Sequence, residues 1–149
     1  MANSKNHSFI EPQQERSRKR FETVLKTAEF IYENQDNYDL TVQDIAKLSG
    51  MKRPSIYKFF PNNESILEAI SKKHTDNLLF LIKKNFESLN SKSTTELIKI
   101  LIDVIAIFLI NNSPLSKLIF TDFSKKIMKE ELLNLFKSFS DHNEIKIKY

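Results

Sequence analysis

Lys52, Arg53, Ser55, Tyr57 and Lys58 bring cationic, hydroxyl and phenol groups into one short stretch, directly after the only glycine of the chain, Gly50. Such side chains donate hydrogen bonds to phosphate oxygens and, in the case of Arg, bidentately to guanine. Catalytic chemistry has much less to draw on. The chain has no Cys, which removes disulfides, thiolate metal sites and thiol nucleophiles. His7, His74 and His142 are widely separated and form no metal-ligand spacing. A single glycine cannot build a Gly-rich phosphate loop, and the acidic residues are scattered at helix-surface spacing. The residues therefore point to a binding protein that is not an enzyme, with neither cofactor nor metal.

The elements that must hold these donors are legible as helices. Gly50 lies between two helix-forming stretches, where the backbone needs the positive φ that a Cβ resists. Before it, Thr41 and Asp44 form the [ST]-x-x-[DE] pattern of a helix start, and Ile45, Ala46 and Leu48 supply an inner face. After it, Pro54 is tolerable only in a first turn, so a second short helix begins close to Arg53 and stops at Pro61. Two helices joined by a tight glycine turn are the sequence form of a helix-turn-helix.

The rest of the chain is also helical. Residues 1–14 carry Pro12 and no helical period, and are expected to form a flexible arm. A first helix runs from about Arg16 to Asn34, with Phe21, Val24, Leu25, Ala28, Ile31 and Tyr32 on one face. Asn62 caps a long fourth helix from Asn63 to about Ser88, whose inward stripe runs from Ile66 and Leu67 to Leu81, Ile82 and Phe86. Further helices are expected over Thr95 to Asn111, Leu115 to Thr121 and Phe123 to Phe139, followed by a tail. No strand-turn-strand signal is present, so the fold class is all-α. The domain division is 15–62 for the helix-turn-helix domain, 63–140 for a second helical domain and 141–149 for the tail.

The net charge is +4 and the isoelectric point about 9.2. Arg16, Arg18, Lys19 and Arg20 cluster just before the main body of the first helix, and Lys52, Arg53 and Lys58 on the second helix of the motif. Two basic clusters flanking one motif form a footprint for phosphates. The apolar run from Leu97 to Ile110 is broken by Lys99 and Asp103 and is shorter than the ~20 residues a membrane span needs. The start of the chain lacks the apolar core of a signal peptide. A cytoplasmic protein without a membrane role is expected.

From Phe21 to Ala69 the chain resembles the DNA-binding domain of the TetR family of bacterial transcriptional regulators. The resemblance rests on Thr41-Val42 with Ile45-Ala46, on Ser49-Gly50, on Ile56-Tyr57 with Phe60, and on Asn62, Glu64, Ile66 and Leu67 in that order. Three positions depart from the family pattern. Lys52 replaces a serine, Asn63 a lysine, and the glycine usual before the second helix is absent, with Asn37 and Asp39 in that turn.

The resemblance implies a three-helix DNA-binding domain followed by a helical regulatory domain, here shortened by two helices. Lys52 and Arg53 would read bases, Ser55 a base or a phosphate, and Thr41, Tyr57, Lys58 and Phe59 would meet the backbone. Alternatives stand beside several of these roles. Tyr57 can pack on the first helix, Thr41 can serve only as a cap, and Lys58 can be a solvated charge.

The resemblance further implies a homodimer on a near-palindromic operator of double-stranded DNA, and a repressor released by a small apolar effector. The candidate ligand pocket is Leu78, Phe80, Phe86, Ile105, Phe108, Ile119, Phe120 and Phe123; plain core packing is the competing reading. A second functional reading is a truncated helical interaction module that forms mixed dimers with another regulator without strong DNA binding of its own.

Overall fold

A computed structural model describes residues 8–34, 40–87 and 93–142, and within these the side chains of 87, 94 and 139–142 are left aside. The turn at Asn37 and Asp39, His7 and the tail from 143 lie outside the described residues. Among the described residues, seven α-helices follow one another: α1 (Glu15–Asn34), α2 (Val42–Ser49), α3 (Arg53–Tyr57), α4 (Asn63–Glu87), α5 (Thr94–Asn111), α6 (Ser113–Ser116) and α7 (Asp122–His142). A 3₁₀ turn, Lys117–Phe120, joins α6 to α7. No strand occurs among the described residues.

The chain forms two compact units, Met1–Ser71 and Lys72–Tyr149. The division falls inside α4, later than the break at residue 63 expected from the sequence. In unit 1, α1 packs on α2 and α2 on α3. The core is made by Val24, Leu25, Ala28 and Ile31 of α1, Val42 and Ile45 of α2, Ile56 of α3, and Phe60, Ile66 and Ile70. Two expected inner positions are corrected. Leu48 is exposed, because the covered stripe of α2 runs through Val42, Ile45, Ala46 and Ser49 at i, i+3, i+4 and i+7 and leaves position 48 beside it. In α4 Leu79 is buried and Leu81 is not.

Residues 8–14 are not a free arm. Phe9 is 3% exposed and its ring lies 6.1 Å from Phe21 and 6.4 Å from Phe60. Ile10 N–H donates to Phe59 O at 2.8 Å, and Ser8 N–H to the Glu68 carboxylate at 3.1 Å. An aromatic anchor thus outweighs the missing helical period: the segment docks on the helices as a strap.

Unit 2 is built on a cluster of Leu78, Ile82, Phe86, Leu97, Phe108 and Ile119, with Leu132, Leu135 and Phe136 of α7 packed against it. Ser93 and Glu96 form a reciprocal capping box that starts α5 at Thr94. Thr121 Oγ1 accepts from Ser124 N–H at 3.3 Å, so α7 starts at Asp122 and runs beyond the expected end at Phe139. The buried Thr75 and Ser124 hydroxyls bond each other at 3.0 Å, which meets the need of two polar groups inside an apolar core.

Candidate nucleic-acid interface

Gly50 adopts φ 68° and ψ 9°, the left-handed conformation that ends α2. A Cβ at this position would meet nothing within 4 Å, so the backbone angle alone, rather than a lack of room, calls for glycine. The turn redirects the chain into α3. Lys52 is its N-cap in extended conformation and makes no side-chain cap bond, and Pro54 sits in the first turn. Ser55 N–H closes the helix start on Lys52 O at 2.8 Å.

One buried residue fixes which way α3 faces. Ile56 is 0% exposed, and Phe60, just beyond the helix, is equally enclosed. With Ile56 turned inward, Lys52, Arg53, Pro54, Tyr57 and Lys58 are exposed and Ser55 is half-buried. Tyr57 is 50% exposed, so its phenol is offered outward. Phe59 is drawn the other way. It is half-buried, edge-on to Phe21 at 5.9 Å, and its carbonyl accepts from Ile10. Phe59 thus packs within the protein and shows only part of its side chain to the face expected to meet a nucleic-acid backbone.

Thr41 is half-buried, and its hydroxyl works as a cap. Oγ1 accepts from Asp44 N–H at 3.2 Å and donates to the Asp44 carboxylate. Asn63 Oδ1 takes the Val42 N–H at 3.1 Å. The N–H groups of Val42 and Asp44 are thus engaged within the protein, and the exposed side-chain donors of α3 are the ones open to a ligand. Asn63 explains its own departure from the family pattern: a lysine there could donate but could not accept this bond.

Two residues escaped the sequence reading. Gln43 and Lys47 of α2, both exposed, join Lys52 and Arg53 around one shallow concavity lined also by Ala46, Met51 and Pro54. Their i, i+4 spacing on the side of α2 away from Ile45 was the available signal. Arg16, Arg18, Lys19 and Arg20 are all exposed within the first turns of α1. Arg18 Nε donates to Pro12 O at 3.3 Å and Lys19 pairs with Glu15 at 3.1 Å.

The pocket residues expected in the second half separate into two groups. Leu78, Phe86, Phe108 and Ile119 are buried in the unit 2 core and Ile105 packs against it. Phe123 is half-buried, and Phe80 and Phe120 are 64% and 54% exposed. Lining by Phe80 and Phe120 is corrected, since helical spacing places these two rings at the surface. Among the described residues, no group of His, Asp and Glu is arranged to hold a metal ion, and no single helix is long and apolar enough to cross a membrane.

Residues 27–70 match the family model of bacterial regulatory proteins of the tetR family. Over 44 residues the chain is 41% identical to the HTH-type transcriptional regulator EthR of Mycobacterium tuberculosis, and equally to that of Mycobacterium bovis. This stretch is 30% of the present chain and 20% of the length of those relatives. The matched residues take in the last turns of α1, all of α2 and α3 and the start of α4, which are the elements that present Lys52 and Arg53. The helix-turn-helix built around Gly50 is therefore a tetR-family domain.

Proposed function

We propose that this chain is a sequence-specific DNA-binding transcriptional regulator, acting in the cytoplasm as a homodimer on a near-palindromic operator. The observation that carries the reading is the outward start of α3. Lys52 and Arg53 are exposed on a helix whose opposite side is locked by Ile56. A helix N-terminus presented in this way is what enters a major groove in helix-turn-helix proteins. Arg53 reads a base edge, Lys52 a base or phosphate, and Ser55, Tyr57 and Lys58 hold the register on the backbone. Gln43 and Lys47 extend the same surface.

Repression relieved by a small apolar effector completes the proposal. The effector would enter unit 2, where Leu78, Phe86, Phe108 and Ile119 now pack against one another, and its binding would have to part them. Genome-wide footprinting of the protein tests the reading, since it reports binding and target together. Discrete protected sites with two-fold symmetry support it, and an absence of protection in dilute salt refutes it. A helical interaction module that forms mixed dimers is the second reading, favoured by the exposed isoleucines of α5. Stable assembly with another regulator together with negligible DNA affinity would select it.

A further inference from the structure

α5 is apolar on two sides, and its own unit covers only one. Leu97 and Phe108 are consumed by the unit 2 core. Away from them, Ile98, Ile102, Ala106 and Ile110 recur at every fourth position, all exposed, Ile102 at 59% and Ile110 at 75%. Residues four apart form one oblique ridge on a helix, and such ridges interdigitate when two helices pack. The neighbouring ridge is Lys99, Asp103 and Ile107, also exposed.

We propose that this ridge joins two copies of the chain, α5 against α5, about a two-fold axis beside Ile102. The inference rests on the dimeric regulator proposed above and names the surface that forms the dimer. Charge selects the occupant. In a two-fold contact each surface meets its own twin, so an unbalanced charge would face its own sign. Lys99 and Asp103 balance. An axis passing between them brings Lys99 to Asp103 of the partner subunit, and by symmetry Asp103 to Lys99 of the partner subunit. Ala106 lowers the ridge and lets the helix axes approach. A stable interface buries ~800 Å² on each partner, more than one ridge of an α5-sized helix supplies. The free dimer is therefore weak and concentration-dependent, and two half-sites on one DNA strengthen it through effective concentration.

Sedimentation equilibrium of the full chain without DNA tests this, with circular dichroism confirming that each variant keeps its helix content. The unaltered chain is expected to dimerise in the micromolar range. Lys99→Asp sets acids against acids, Asp103→Lys sets bases against bases, and each should weaken association at least tenfold. The double variant Lys99→Asp/Asp103→Lys should restore it. An equimolar mixture of the two single variants should form a mixed dimer although neither self-associates. Rescue of this kind requires the two residues to meet across copies. A chain that stays monomeric, single variants that dimerise unchanged, or a double variant without rescue would each overturn the proposal. DNA affinity, followed separately by fluorescence anisotropy on duplex DNA, fails or holds independently: a dimer that ignores DNA sinks the regulator reading and leaves this surface standing.

Discussion

Replacing Gly50 isolates one physical term, because nothing approaches the space where a Cβ would sit. The left-handed conformation at φ 68° costs a residue with a Cβ about 1–2 kcal/mol. Against this, alanine restricts the unfolded chain and recovers about 0.4–1 kcal/mol. The net loss expected for Gly50→Ala is ~1 kcal/mol, which for a unit of this size lowers its melting temperature by about 4–8 °C. Asn tolerates the left-handed region, so Gly50→Asn should lose clearly less, and Gly50→Val more. Thermal unfolding followed by circular dichroism gives the order of the variants. Hydrogen exchange at α2 and α3 then places the loss at the turn. Equal losses for Ala and Asn, or no loss for Ala, would show that backbone angle does not govern this position.

Other consequences follow from the same geometry. Arg53→Ala should cost about 1–3 kcal/mol of operator binding and relax preference at one base pair, measured by anisotropy on a panel of operators; an equal loss on every sequence would move Arg53 to the phosphates. Thr41→Ala removes the cap on Asp44 N–H and should cost ~1 kcal/mol of stability, with Thr41→Ser largely restoring it in urea unfolding. Full Phe→Ala truncation in a core costs about 3–5 kcal/mol, and a strap that can lift away relaxes part of that, so Phe9→Ala should cost ~2 kcal/mol. The same variant should speed proteolysis of residues 8–14. Binding to duplex DNA should fall linearly on a log–log plot against salt, with a slope that shrinks when Lys58 is replaced by Ala.

Much of the fold was written in local pattern. The helix period of α1, Thr41 with Asp44, Pro54 and Pro61 placed the helix-turn-helix, since each acts within a few residues of itself. The start of α5 was equally local and was nevertheless misplaced by a residue: Ser93 and Glu96 carry the capping pattern, which begins the helix at Thr94 rather than Thr95. The candidate site was legible in Lys52, Arg53, Tyr57 and Lys58 for the same reason, because a short helix with Ile56 on one side must show the other side to solvent. Gln43 and Lys47 were not legible as partners of Arg53, since their meeting depends on the turn that folds α3 back beside α2.

From sequence alone came the helical class, the glycine turn and the exposed basic start of α3. These depend on backbone torsion and on neighbours within a turn or two, which adjacent residues specify. Only the tertiary structure decided that Phe9 docks against Phe21 and Phe60, that Asn63 holds the start of α2, that Phe80 and Phe120 are surface rings, and that the isoleucines of α5 face outward. Each of those outcomes sets a side chain against residues distant in the chain or leaves it uncovered, and an apolar residue at helical spacing carries no mark of which will occur.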